Sequence, residues 1–375
     1  VRALQPQTFD SVVEGHDGEV FSAAYLPDGT LVATAGWDGC LRLWDPASGM
    51  PLLKHRAGNK PLSACAISRD GKRYLTGSME GILAVWDAAT QTPLQTAVAH
   101  TRPVAAIAVA PDGQTIATAG WDRVVQLRRL DQFLDVRPLH GHRDLATGCT
   151  FFPDGRELLS WSADGTVRGW DVASGGETFL LKAHDDRVTA ASLSPDGAQL
   201  LTGSRDGKVK LWDLAEQRGL VELELPTEVR GLFFLLDGQA AVAIDAAGTA
   251  LLLTLPDGAV ECEVEVGHKV LGCALAPSGQ QVALGGEDGY LYLLAVTGEY
   301  TAPLFVTPTR SEKQPPVGLF ARLFGGGKMA PVETFAVTCP TCRTTSELKA
   351  LPEKPFHCGR CRQAIRVNAR VLEVG

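Results

Sequence analysis

Two interleaved ladders of short motifs with one shared period run through most of this 375-residue chain. Gly-His or Ala-His pairs end at His16, His100, His142 and His184. The last three stand 42 residues apart, and the first lies two periods before His100. Trp-Asp pairs at Trp44-Asp45, Trp86-Asp87, Trp170-Asp171 and Trp212-Asp213 keep the same spacing. An internal repeat of this kind constrains the architecture more than any single residue does. Each unit is one supersecondary element that cannot bury its apolar face alone and must stack on its neighbours.

Within each repeat, turns punctuate short apolar runs. Pro27-Asp28-Gly29, Pro111-Asp112-Gly113, Pro153-Asp154-Gly155 and Pro195-Asp196-Gly197, with Arg69-Asp70-Gly71 in the same phase, have the residue types of tight hairpin turns. Asp38-Gly39, Asp164-Gly165 and Asp206-Gly207 form a second set, separating runs such as Leu31-Val32-Ala33-Thr34 and Cys40-Leu41-Arg42-Leu43-Trp44. Each repeat is therefore expected to be several short strands joined by turns. Apolar residues make up 45% of the chain, enough for a sizeable core and too many for a disordered state.

These ladders resemble the WD-repeat family, whose repeat of about 40–45 residues forms one four-stranded blade of a β-propeller. The resemblance covers roughly residues 8–306 and implies an all-β fold, a seven-bladed propeller. Repeat six lacks both markers but keeps Asp237-Gly238, Gly248 and the apolar run Leu251-Leu252-Leu253. Repeat seven recovers Gly267-His268, Ser278-Gly279 and Asp288-Gly289, with Leu294 where tryptophan is expected. Residues 8–14 precede His16 as residues 94–99 precede His100, so they are expected to be the outer strand of the last blade, closing the ring. The expected division is a propeller over residues 1–306, a flexible linker over 307–330 containing Pro315-Pro316 and Gly325-Gly326-Gly327, and a zinc ribbon over 331–375.

In the WD-repeat family the histidine, a strand hydroxyl, the turn aspartate and the tryptophan form a buried hydrogen-bond chain. The matching residues are His16, Thr34, Asp38 and Trp44 in repeat one, His142, Ser160, Asp164 and Trp170 in repeat four, and His184, Thr202, Asp206 and Trp212 in repeat five. Such groups must be paired once removed from water, and a linked network offsets desolvation better than isolated pairs do. In repeat three Arg128 replaces the tryptophan, so His100, Thr118 and Asp122 are expected to be less well locked. Cys65 and Cys149 share one phase with Ala23 and Ala191, as small residues of a buried strand would.

Four of the nine cysteines cluster near the C-terminus as two C-x-x-C knuckles, Cys339-Pro340-Thr341-Cys342 and Cys358-Gly359-Arg360-Cys361, with fifteen residues between the inner pair. This spacing suits one zinc ion in a closed shell of four thiolates, a structural site with no open position for water, in preference to a redox dithiol pair or an iron centre. His357 adjoins the second knuckle as a neighbour. The spacing and the strand-like flanks 334–337 and 364–367 resemble a zinc ribbon, a unit too small to fold without its metal.

A net charge of −8 gives no global footprint for nucleic acid or an anionic membrane, and no apolar run is long enough to span a bilayer. The clustered cysteines suit a reducing, cytoplasmic setting. No G-x-S-x-G, H-E-x-x-H or phosphate-binding loop occurs, and the recurrence of the His/Asp pairs points to structure, because catalytic constellations are singular. The residue before each turn aspartate lies, by the family resemblance, on one rim of the ring. That phase holds Trp37, Met79, Trp121, Ala163, Arg205 and Glu287, an arrangement open both to packing against the next blade and to a partner surface. The ribbon carries Arg343, Lys349, Lys354, Arg360, Arg362, Arg366 and Arg370 against Glu333, Glu347, Glu353 and Glu373, which fits either an acidic partner or nucleic acid. The expectation is a non-catalytic scaffold that binds a protein partner on its rim, with the basic ribbon as the nucleic-acid alternative and no small-molecule substrate or membrane contact.

Overall fold

The computed structural model describes residues 2–7 and 15–297, together with the strands Leu304–Val306, Phe335–Thr338, Thr345–Leu348, Phe356–His357 and Ala364–Val367. All regular structure among these residues is β-strand. The chain divides into two compact units, residues 1–297 and 298–375.

The first unit is a ring of seven four-stranded antiparallel blades. Blade one runs outward through Val20–Tyr25, Val32–Gly36, Cys40–Trp44 and Pro51–Arg56, each strand paired with the next. The degenerate repeat six makes a full blade from Val229–Phe234, Ala240–Asp245, Thr249–Thr254 and Val260–Glu265. Its markers are dispensable because the strands keep their apolar faces: Val242, Ala243, Leu252 and Leu253 are fully buried. Second-turn glycines hold the hairpins tight. At Gly207, φ is +86° and an added Cβ would lie 2.4 Å from the Leu225 carbonyl oxygen, a position only glycine fills.

The core lies between blades. Leu201, Val209 and Leu211 of blade five meet Val229, Leu232 and Leu251 of blade six. Val32 and Trp44 of blade one meet Ala283 and Leu293 of blade seven across the closure. Cys65 and Cys149 are buried in these walls, and burial pushes both thiols up to about 12.

Ring closure departs from the sequence expectation. Ala3–Pro6 is the fourth strand of blade seven, antiparallel to Leu291–Thr297 with Ala3 opposite Thr297 and Pro6 opposite Leu294. Leu4 is buried and Arg2 pairs with Asp237 of blade six. The expected segment, residues 8–14, lies outside the described residues. The connection 7–19 is longer than its counterpart 99–103, so distance from His16 does not locate the closing strand. The propeller ends at Thr297 rather than at 306, because the strand that would follow is already supplied by the chain's start. Leu304–Val306 pairs instead, in parallel, with Ala364–Val367 of the second unit.

The hydrogen-bond chain is complete in blades one and four. Trp44 Nε1 donates to the Thr34 hydroxyl at 2.8 Å, the His16 Nε2 lies 2.8 Å from that hydroxyl, and its Nδ1 lies 2.8 Å from Asp38. Trp170, Ser160 and His142 repeat the pattern at 2.8 Å per link, and a longer 3.4 Å contact reaches Asp164. Burial opposes the charge on Asp38 and Asp164, but hydrogen bonds from the histidine and from backbone amides outweigh it and hold both carboxyls well below the usual range.

Blade five corrects the expectation. Trp212 and His184 both reach Thr202 at 2.8 Å, yet His184 Nδ1 has no partner and Asp206 faces solvent, accepting the Lys208 amide at 3.0 Å. Beside this turn Asp186 is held against Arg205 at 3.1 Å. Burial and then the charge of Lys210 lower the His184 imidazole to about 4. In blade three, His100 reaches Thr118 and Asp122 at 2.9 Å, while Arg128 is re-anchored on the Phe133 carbonyl at 2.9 Å and on Gln126 at 2.8 Å.

Two outcomes follow for stability. Leu4→Ala is expected to cost about 2–5 kcal/mol, on the order of 5 °C in melting temperature, and deleting residues 1–7 more, with new dimers in size-exclusion chromatography from the freed strand edge. An unchanged melt would show that the ring does not depend on this strand. The second concerns pH: native His184 refuses a proton that the unfolded chain accepts, so stability falls as pH drops from the ordinary imidazole value of 6.5 towards about 4. Denaturant midpoints at pH 7 and pH 4.5 should therefore differ by less in His184→Gln than in the parent chain.

Candidate functional site

Each inner strand carries a β-bulge at the same point. The register slips between Val20 and Ser22 in blade one, Val104 and Ala106 in blade three, and Val229 and Gly231 in blade six, and likewise in the other four. A bulge inserts one residue that the neighbouring strand does not oppose and re-aims its side chain. The seven residues so placed are Phe21, Ser63, Ala105, Thr147, Thr189, Arg230 and Leu271, and all seven line one cavity of about 520 Å³ on the axis of the ring.

Three of these side chains are used within the wall. The hydroxyls of Ser63, Thr147 and Thr189 donate to the carbonyls of Val104, Val188 and Val229 at 2.6 Å, tying each blade to the next. Phe21, Leu271 and Arg230 remain as the larger groups of the bulge ring.

The rim residues are positioned by a second seven-fold device. The amide of the residue before each turn donates to the carbonyl of the residue before the inner strand: Trp37 to Glu19, Met79 to Pro61, Trp121 to Pro103, Ala163 to Leu145, Arg205 to Arg187, Ala246 to Glu228, and Glu287 to Lys269, all within 2.7–3.0 Å. All seven rim residues therefore share one face, at the mouth of the axial cavity. Trp37 is 54% exposed and Trp121 37%, whereas Met79 is partly buried in the cavity wall. The ring of Phe21 lies 6.1 Å from that of Trp37, extending the apolar surface from rim to axis. Arg205 is exposed and ion-paired with Asp186 at 3.1 Å.

The face is thus divided. Blades one to four present Trp37, Met79, Trp121 and Ala163 at the rim, with Glu19, Pro61, Pro103 and Leu145 beneath them and one ion pair, Lys60 with Glu80 at 2.9 Å, adjoining Pro61 and Met79 in sequence. Blades five to seven present charged pairs: Arg205 with Asp186, Arg230 with Glu228 at 3.1 Å, and Lys269 with Glu287 at 3.0 Å. The sequence ladder pointed to the rim tryptophans, Met79 and Arg205 but passed over Phe21, Arg187 and Arg230. Their signal is present in blades one to five, where Phe21, Ser63, Ala105, Thr147 and Thr189 stand 42 residues apart. A repeat shorter by one residue before Arg230 breaks that count.

The cysteines Cys339, Cys342, Cys358 and Cys361, and the expected linker 307–330, lie outside the described residues. The strands on either side of each knuckle pair with one another: Phe335–Thr338 with Thr345–Leu348, and Phe356–His357 with Ala364–Val367, both antiparallel. In the sequence each C-x-x-C falls between two such paired strands, and the four cysteines together would offer the soft donors in the number that zinc takes.

The WD domain, G-beta repeat family model matches residues 7–45, 50–87, 91–128, 134–171 and 175–213, the first five of the seven blades. Among curated proteins, the chain is similar to two small ribosomal subunit proteins of rice (Oryza sativa subsp. japonica), RACK1z and RACK1y, each 45% identical over 53 residues. That stretch is 14% of this chain and 16% of either relative. With five repeats matched by the family model and seven blades closed into one ring, this chain belongs to the WD-repeat family of β-propellers.

Proposed function

We propose that the chain is a non-catalytic protein-interaction scaffold whose divided face binds a protein partner. The observation that carries this reading is the pair of exposed tryptophans, Trp37 and Trp121, held on one face of a rigid ring with Met79 between them in chain order. Large aromatic side chains half in water cost free energy that a partner's apolar surface recovers, and tryptophan and arginine are the residues most often found as binding anchors. Arg205 belongs to the rim of that surface, where an ion pair sets orientation more than affinity. The His/Asp pairs sit in the blade walls as structural links, while in the cavity Glu228 is ion-paired with Arg230 and burial pushes the Cys273 thiol up to about 12, which favours binding over turnover. The rice relatives carry names of ribosomal-subunit proteins, which accords with propellers of this family working as parts of assemblies.

The second unit completes the proposal. Cys339, Cys342, Cys358 and Cys361 would hold one structural zinc ion, whose closed thiolate shell supplies folding energy and no reactive water. The basic excess of the surrounding segment makes this unit a second contact module.

Affinity capture from native lysate tests the first part. The Trp37→Ser, Trp121→Ser variant, shown to melt as the parent does, should lose a specific protein partner that the parent retains. If both capture the same proteins, or only nuclease-sensitive material, the rim reading fails and the second unit becomes the binding module. Metal analysis tests the second part: about one zinc per chain is expected, lost together with the second unit's fold in Cys339→Ser. A metal-free chain, or a variant with an intact second unit, overturns it.

A further inference from the structure

Three charged side chains line the axial cavity, namely Arg187, Arg230 and Glu228. Arg230 is paired with Glu228. Arg187 is not paired: among the described residues its guanidinium makes neither an ion pair nor a hydrogen bond, and its Nε is buried without a partner. The nearest acid by sequence, Asp186, uses its carboxylate on Arg205 and on the Arg187 backbone amide. Glu19 stands at the same level in blade one but outside the cavity wall. The cavity therefore carries one guanidinium with no contacting counter-ion, which Asp186 reaches only through space, beside Thr189 and opening on the face that holds Met79 and Trp121.

An unpaired guanidinium with a buried nitrogen is costly unless an anion reaches it, and arginine offers a carboxylate parallel donors at fixed geometry. From this we infer that the partner inserts the carboxylate of an aspartate or glutamate side chain into the axial mouth against Arg187, and lays an apolar residue of the same segment on the Trp37–Met79–Trp121 side. The chemistry recognised is thus an acidic-plus-apolar peptide segment. The inference rests on the rim reading above and adds the charge of the ligand and the residue that reads it. Blades one to four supply the apolar anchor, and blades five and six supply the charge. Because Arg205, Arg230 and Lys269 already have carboxylate partners, Arg187 alone among these four has its charge open to a ligand.

Selection of a displayed library of internal peptides, with both ends blocked, on the full chain tests the inference. The expected winners place Asp or Glu at a fixed spacing from Trp, Phe or Leu. In fluorescence anisotropy, Arg187→Gln should weaken the best peptide about tenfold or more with an unchanged melt, and Arg187→Glu should turn the selected preference to Lys or Arg at the same position. Winners that keep the apolar residue, lack an acid and ignore Arg187 overturn the inference and leave the rim reading intact. Winners that bind equally to Trp37→Ser, Trp121→Ser overturn the rim reading itself, and a selection with no winners counts against both.

Discussion

A four-stranded blade with apolar residues on both faces can bury neither face by itself, and the ring is the arrangement that buries both for every blade at once. Leu41, Leu83, Leu201 and Leu211 have essentially no exposed surface because a neighbouring blade covers them. The same logic forces closure. An open stack of seven blades would leave two bare faces and a free strand edge, both of which recruit other chains. Recruiting Ala3–Pro6 into blade seven makes the first blade's position depend on the last, so blades one and seven share Val32, Trp44, Ala283 and Leu293 as a common core.

Most polar groups in this wall are linked in hydrogen-bonded chains, and the blades differ in how far the chain runs. In blades one and four the path from indole to hydroxyl to imidazole to carboxylate is unbroken. In blade five it stops at the imidazole, and burial and then the charge of Lys210 drive His184 to about 4. A carboxylate beside an imidazole favours its proton, and turning Asp206 into solvent removes most of that support. Blade three lost the indole and gained a buried arginine. Arg128 finds acceptors in Phe133 and Gln126 and stacks its charge over the Phe133 ring at 5.5 Å, so the substitution was accommodated by a local loop rather than by the original chain.

What could be read from the sequence follows from the period. Markers that recur every 42 residues identify the blade, its turns and its buried chain, because one geometry repeated five times leaves five copies of the same residue choices. The rim position was legible for the same reason. Features that break the period were not. The closing strand sits outside the ladder, behind a connection longer than its counterparts, and its location was read wrongly as residues 8–14. The outward turn of Asp206 leaves no mark in the repeat, because the aspartate keeps its place in the ladder whichever way its side chain faces. The charge in the axial cavity was hidden because Arg187 and Arg230 hold different places in their repeats, and only the folded ring brings both to the wall of one cavity.

The same symmetry explains why the binding face is asymmetric. A bulge in every inner strand and an amide-to-carbonyl bond behind every rim residue give seven equivalent places for a side chain, fixed in position by backbone that cannot vary without losing the blade. Nothing in that backbone dictates what the side chains are. Three of the bulge positions are occupied by hydroxyls that bind the next blade and are therefore structural. The side chains of the remainder, of the rim and of the residues beneath the rim are free of that duty and include Phe21, Trp37 and Trp121 on one side and Arg187, Arg205 and Arg230 on the other. A ring that needed only to fold would have no reason to place aromatic rings in water opposite a guanidinium with no contacting counter-ion. Both features raise the free energy of the isolated chain, and a ligand that is apolar at one end and acidic at the other relieves both in a single contact.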